Sequence, residues 1–278
     1  MKVSVLDKNL RKQFVGWCAS LGAFLSIFVI FVDIPKKYKI GAGILFLVLL
    51  FIIFVILWLK ANFKREASIK IGRTTVKVKS GNIFDEEGLI AIAFNEYFDT
   101  LVDDKVISKA SLNGQFILNE IKDIERLDYE IAEDLKLQSN ISGYDKDRGR
   151  GKPTRYYLGS AILIDERFIL TAFSHFNSDN QAELTMPEYI NFLLTFWNEI
   201  NRLYAQRSVT VPVFGAGITR FKNGFEDIDL DELLRIMLWT FRVSKVKFVY
   251  PAKLTIIIHK DQVAKINLYE LEETNNGV

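Results

Sequence analysis

Two uncharged runs near the N-terminus constrain this chain more than anything that follows them. Residues 14–32, FVGWCASLGAFLSIFVIFV, make 19 consecutive positions without a charge, and residues 40–59, IGAGILFLVLLFIIFVILWL, make 20 more. At about 1.5 Å of rise per residue each would form a helix about 30 Å long, the thickness of a bilayer's hydrocarbon core. A cleaved leader followed by a buried core helix is the competing reading. Against it, the first run is long for a leader and the second is more apolar still. The spacing therefore predicts two membrane spans, with Trp17 and Trp58 near their outer ends, where interfacial aromatics sit. The link DIPKKYK is short, so the spans form an antiparallel hairpin with both termini on one side of the bilayer. Positive charge does not choose the side. Lys2, Lys8, Arg11 and Lys12 precede the pair, Lys36, Lys37 and Lys39 occupy the turn, and Lys60, Lys64 and Arg65 follow it. Gly16, Gly22, Gly41 and Gly43 give the helices small faces against which others can pack.

The remaining chain is long enough for one good-sized core, which places a domain boundary near residue 66: a hairpin over 1–66 and a globular domain over 67–278. The formal net charge of +2 gives no case for a nucleic-acid partner. A single cysteine, Cys18, excludes an internal disulfide, and two histidines are too few for a His/Cys metal site. No carboxylate spacing suggests a metal either.

Beyond residue 68 the pattern is that of short strands and amphipathic helices. SIKI and TTVKVK alternate apolar and polar residues around a Gly-Arg turn, as a hairpin does. GLIAIAF (88–94) is a continuous apolar run, suited to a strand buried on both faces. Helical spacing of Ile117, Ile121, Ile124 and Leu127 predicts one helix over 115–137. The charged, glycine-rich stretch SGYDKDRGRGKPTRYY (142–157) reads as a loop, and its RGRG segment (148–151) as solvated and flexible, or as reaching toward an anionic ligand or lipid headgroups. YYLGSAILI and RFILTAFSHF read as a strand pair around Asp165-Glu166. Helices follow over 187–206, with proline at the start, and over 229–243. LTIIIH and VAKINLYEL read as terminal strands. Strands interleaved with helices define an α/β layer fold.

In such sheets ligands bind beyond the C-terminal ends of the strands. The stretch VTVPVFGAGITRF (209–221) fits that place: a strand, a loop of small residues, then a helix. Gly215 and Gly217 let backbone N–H groups approach an anion without a Cβ in the way. A plain tight turn is the alternative. His175 and His259 have no serine–acid pair nearby in sequence and read as ordinary edge or core histidines.

Three stretches in order, VKSGNIF (78–84), LIAIAFN (89–95) and VPVFGAGITRF, resemble the macro domain, a module that binds ADP-ribose and its relatives. Gly81-Asn82-Ile83 matches a strand-end step whose acid meets the adenine, with Asn82 in place of aspartate. Asn95 matches an asparagine near the distal ribose, and Gly215, Ala216, Gly217, Ile218 and Thr219 match the loop around the diphosphate. The run of glycines usual after the asparagine is reduced here to Gly114 within SKASLNGQF, and the first loop, NEYFDTLVDDKV, is longer. Joined to two spans, these departures resemble the transmembrane-plus-macro effectors of type II Thoeris anti-phage systems.

The resemblance implies a three-layer α/β/α macro-like domain with a mixed sheet. It implies a ligand that is an ADP-ribose derivative, histidine-ADP-ribose, made by a TIR-domain enzyme that consumes NAD. It further implies self-association, disruption of the lipid bilayer, and a two-pass location in the bacterial cell membrane with the macro domain in the cytoplasm. The ligand-binding set implied is Asn82, Ile83, Asn95, Asp99, Thr100, Ser111, Gly114, the loop from Gly215 to Thr219, and Arg220. Several of these carry bland alternatives: Asn95 as a cap of the next loop, Arg220 in solvent, Asp99 and Thr100 on a polar surface loop. Phe94, Phe221 and Phe225 either stack on adenine or belong to the core. No cofactor and no catalytic residue is implied. The runner-up, a membrane-tethered ADP-ribosyl hydrolase, would have to use Asn95 and Asp99.

Overall fold

The computed structural model describes residues 3–32, 34–248 and 251–275. Lys2, Asp33 of the interhelical link and the last three positions of the expected globular domain lie outside the described residues. Contacts divide the chain into two compact units: the N-terminal part up to Ala67 together with the chain from Ile266 onward, and Ser68–Lys265.

The first unit holds α1 (Lys8–Phe31) and α2 (Lys36–Asn62). Asp7 caps α1, its carboxylate accepting from the N–H groups of Asn9 and Leu10. Both helices are long and apolar enough to cross a membrane. Apolar side chains stand exposed all round them, among them Phe24, Ile30, Phe31, Ile40, Leu45 and Phe51. Helices that meet each other yet leave apolar side chains exposed around most of their surface suit a lipid surround. Phe14 and Phe54 meet edge to face at 5.2 Å between centroids. Trp58 turns back to the chain, its Nε1 donating to the carbonyl of Val3 at 2.9 Å.

The second unit is built on a nine-stranded mixed sheet. Its strands are β1 (Glu66–Ile71), β2 (Thr74–Gly81), β3 (Leu89–Asn95), β6 (Ala161–Ile164), β7 (Phe168–Phe176), β8 (Ala182–Thr185), β9 (Val209–Pro212), β10 (Arg220–Lys222) and β11 (Leu254–His259). The order is β1-β2-β11-β9-β3-β7-β8-β10, with β6 on β7. The central five strands, β2, β11, β9, β3 and β7, are mutually parallel. β6 and β8 run antiparallel to β7. The β6–β7 turn places Asp165 and Glu166 both at positive φ, the primed-turn geometry that matches strand twist. A separate antiparallel ribbon joins β4 (Ile141–Tyr144) and β5 (Thr154–Tyr156).

Alternation along β3 and β7 feeds both layers. Ile90, Ile92, Phe94, Phe168 and Leu170 join a cluster with Phe116, Ile117, Leu127 and Ile131. These last come from α3 (Leu112–Asn119) and α4 (Ile124–Glu133). Phe173 of β7 instead meets Phe192 and Phe214 at 4.8 and 5.5 Å. Phe192 belongs to α6 (Met186–Leu203), which packs against α7 (Leu230–Ser244). Helices on both faces make the three-layer α/β/α arrangement. α6 and α7 each begin with a capping box, Thr185 with Glu188 and Asp229 with Glu232.

Three expected elements differ. The single helix over 115–137 is three: α3, α4 and α5 (Leu135–Gln138). Asp123 and Asp134 each accept from a downstream N–H, of Arg126 and Leu137, and so restart the helix where periodicity alone ran through. VAKINLYEL is no strand: a 3-10 turn over Val263–Lys265 leads to α8 (Leu268–Asn275), because Asn267 caps it through Glu270 N–H. Between the glycine loop and α7, Arg220–Lys222 forms β10 beside β8.

Candidate functional site: a cleft at the C-terminal ends of the parallel strands

Parallel strands deliver their C-terminal ends to one edge of the sheet, and a cleft of about 660 Å³ opens there. Its lining includes the ends of β2, β3, β7, β9 and β11 and the loops that follow them. The β3–β7 register slips between Phe94 and Asn95, so Asn95 pairs with Ser174 and Phe173 is the extra residue. Such bulges re-aim side chains beside functional sites; here both Asn95 and Phe173 line the cleft.

One wall is the loop over residues 213–219. Gly215 has φ +84°, and a Cβ on it would sit 2.8 Å from the Phe221 ring, so the fold itself demands glycine. Gly217 is different: a Cβ there would meet nothing within 4 Å, yet the residue lines the cleft. Buried Tyr189 donates to the carbonyl of Phe214 at 3.0 Å, and Gln262 donates to that of Ala216 at 2.7 Å. The loop is thus held by two side chains, with Gly217 facing open space.

The opposite wall carries the 104–108 loop and the start of α3. Ser111 caps α3, accepting from Gly114 N–H at 3.0 Å while donating to Ser108 O at 2.6 Å. Helix N-terminal N–H groups favour anions. Asn113 is 5% exposed, lines the cleft, and its Oδ1 has no hydrogen-bond partner. Asp104 is held below the usual carboxylate range, first by the backbone N–H of Lys109 and then by its side chain.

Of the residues singled out in sequence, Asn82, Ile83, Asn95, Ser111, Gly215, Ala216, Gly217, Ile218, Thr219 and Arg220 all line this cleft. Asn82 also caps a 3-10 turn through Phe84 N–H, and Arg220 donates to Gln181. Three residues are not on the lining. Asp99 is wholly buried and ion-paired to Arg148 at 2.6 Å. Thr100 donates to Asp128 at 2.7 Å. Gly114 serves packing: a Cβ there would lie 2.2 Å from Ser108 O. Phe94 and Phe221 are buried, and Phe221 meets Tyr189 edge to face at 5.4 Å. The glycine-rich 142–157 stretch forms the β4–β5 ribbon, whose tip is solvated at Lys146, Asp147, Gly149, Arg150 and Gly151, while Arg148 turns inward with its side chain 8% exposed. Sequence reasoning missed Asn113, Asn180, Gln181 and Gln262; single Asn and Gln residues in turns or in the first turn of a helix carry no spacing signal, and only their placement reveals them.

A smaller cavity of about 390 Å³ adjoins His175, Glu96, Glu188 and Arg155. His175 Nδ1 lies 2.9 Å from Glu96 Oε2, and Glu96 is buried. The hydrogen bond to Glu96 raises the His175 pKa against the opposing effect of burial. Among the described residues no group of three His, Cys, Asp or Glu side chains could hold a metal ion.

A three-layer α/β/α domain with a mixed sheet, opening a glycine loop and a capped helix N-terminus onto one cleft at the strand ends, is of the macro type. The family model for the macro domain of the Thoeris protein ThsA matches residues 76–259. A Thoeris protein ThsA of Bacillus amyloliquefaciens (strain Y2) is 38% identical over 282 residues, covering 100% of this chain and 94% of that protein. This chain belongs to the ThsA family of Thoeris proteins. Solved structures of an Oceanobacillus iheyensis macrodomain, one a mutant with ADPR and one with ADP, superpose at TM-score 0.46 and 11–12% identity. Each covers 75% of this chain, and 97% and 95% respectively of the solved chain. The assignment stands on the two sequence matches.

Proposed function

We propose that this protein is a membrane-anchored effector whose macro domain, over residues 67–278, senses an ADP-ribose-derived signal released by a TIR-domain enzyme. Histidine-ADP-ribose is the signal in this reading. The observation that carries it is Gly217. Neither its backbone nor any neighbour requires a glycine there, so the small residue serves whatever enters the cleft. A diphosphate is the group that uses such a place, because backbone N–H groups reach it only where no side chain intervenes. The α3 N-terminus on the other wall, with Asn113 Oδ1 unpaired, adds polar groups suited to a nucleotide.

Sensing is favoured over hydrolysis. Asp99, which a hydrolase would have to use, is buried in an ion pair and absent from the lining. Asn95 spends its amide on Asp99 and on the N–H groups of Tyr97 and Asp99. Neither is placed to move a proton at a ribose.

Ligand binding then drives assembly by preferring the associated state. Gly16, Gly22, Gly41 and Gly43 have open space where side chains would stand, so further helices can approach the hairpin closely. Clustered hairpins disrupt the bilayer, and the macro domain faces the cytoplasm, where the signal is made. Calorimetric titration of the full chain in detergent with ADP-ribose and its histidine conjugate tests this. Binding that prefers the conjugate and raises the oligomeric mass is expected. No binding of either would overturn the sensor reading, and binding at constant mass would overturn assembly.

A further inference from the structure

Three asparagines line the cleft from separate segments: Asn95 at the end of β3, Asn113 in the first turn of α3, and Asn180 in the turn before β8. Asn95 and Asn180 bond to the charged groups of one buried ion pair, and Asn113 bonds to the main chain of its acid, Asp99. Arg148 donates to both carboxylate oxygens of Asp99, Nη2 to Oδ2 at 2.6 Å and Nη1 to Oδ1 at 3.0 Å. Asn95 Nδ2 donates to the same Oδ2 at 2.8 Å, and Asn113 Nδ2 to the Asp99 carbonyl at 3.4 Å. Arg148 Nη2 donates onward to Asn180 Oδ1 at 2.9 Å.

We propose that the Asp99–Arg148 pair is the positioning element of the cleft, setting the amide orientation of Asn95, Asn113 and Asn180 together. This rests on the ligand-sensing reading of the same cleft.

The pair is built for that task. A guanidinium fork bound to both carboxylate oxygens has fixed orientation, which a lysine ammonium lacks. The Arg148 guanidinium also lies 3.8 Å over the Tyr97 ring and donates to the Lys152 carbonyl at 2.8 Å. Lys152 N–H completes Asp99 at 2.7 Å. Gly151 lets the β4–β5 tip pass: it has φ +86°, and a Cβ would lie 2.5 Å from Asp99 Oδ1. An asparagine amide presents a donor on one side and an acceptor on the other, so fixing the donor end of Asn113 and the acceptor end of Asn180 decides what the other end offers, while Asn95 has both ends committed and is locked whole. The pair lies off the cleft lining and acts through the asparagines.

The test compares the full chain with Arg148→Lys, which keeps charge and loses the fork, and with Asn180→Ala, which removes one arm only. Two readouts are used: hydrogen exchange of the ligand-free protein, and affinity for ADP-ribose. In Arg148→Lys, segments 93–100, 111–117 and 177–183 are expected to exchange faster together while β2 and β11 keep wild-type protection. ADP-ribose affinity of the folded protein should fall about tenfold, one hydrogen-bonded amide's worth of misplacement. In Asn180→Ala only 177–183 should loosen. A merely structural role would raise exchange throughout the sheet and leave the folded fraction's affinity unchanged, and that result overturns the proposal. So does loosening of one segment without the other two in Arg148→Lys. If Arg148→Lys does not fold, loosening in Asn180→Ala that spreads to 111–117 overturns it, and confinement to 177–183 supports it. Failure of the wild type to bind ADP-ribose is failure of the sensor reading, and the exchange measurement still decides the positioning role.

Discussion

The two walls of the cleft are made by opposite means. The glycine wall, residues 213–219, is local: a strand stops, Gly215 turns the chain at positive φ, and Gly217 is left facing open space. The asparagine wall is assembled from four distant pieces around Asp99, whose ion partner Arg148 is 49 residues away. Backbone recognition needs only the absence of side chains. Side-chain recognition needs each amide held, and a buried charge pair holds several at once only if every lone pair is met. On this view the first wall tolerates change poorly at its surface, and the second at its root.

The largest effect should come from that root. Asp99→Ala leaves Arg148 buried without its counter-charge, a loss of about 3–5 kcal/mol for one partner of a buried pair. Chemical denaturation in detergent should show it; a loss below about 1 kcal/mol would mean that Arg148 reaches water and that the walls are alike.

On the glycine wall, Gly217→Glu should fold normally, because a Cβ there meets nothing. It should lower ADP-ribose affinity by about a hundredfold or more, like charges facing each other across a contact costing several kcal/mol. Gly215→Ala is the reverse case. With φ +84° and the Phe221 ring in the way, it should cost about 1–3 kcal/mol of stability. Melting curves and titrations on both variants separate a glycine kept for the fold from one kept for the ligand. Equal melting losses at the two positions would break that distinction.

The same contrast explains what was legible in the sequence. Strands β3, β7, β9 and β11 announce themselves by apolar runs, and α6 and α7 by periodicity with a cap. Residues 215–219 stand out because two glycines after a buried run are a local pattern. Asp99 also stood out, but as a ligand contact, because a polar residue after a strand end looks the same whether it faces a cleft or an arginine from the next ribbon. The RGRG stretch reads as solvated, and at Gly149, Arg150 and Gly151 it is; composition cannot show that Gly151 lets Arg148 alone turn in and close on Asp99. The helix breaks at Asp123 and Asp134 were readable as caps, yet the apolar spacing across them was the louder signal.

A last and smaller test asks whether charge also secures the base of the asparagine wall. Glu96, one residue past Asn95, donates its N–H to Ser174 O and accepts His175 Nδ1 and Phe176 N–H on its carboxylate. Glu188 lies 3.4 Å from His175 Nε2, while Arg155 nearby opposes protonation. The folded-state pKa of His175 is raised, chiefly by its hydrogen bond to Glu96. A raised value means the folded state holds the proton more tightly than the unfolded chain does. The stabilisation is therefore fully present below about pH 6.5, the ordinary histidine value, and is lost as pH rises through the raised one. Because the His175 side chain is 42% exposed, solvent screens the pair and the effect is small. The difference in melting temperature between wild type and His175→Gln should be constant on the acid side and shrink toward alkaline pH. A difference that instead grows with pH would mean that His175 is held neutral, and that the wall's base depends on its packing and not on its charge.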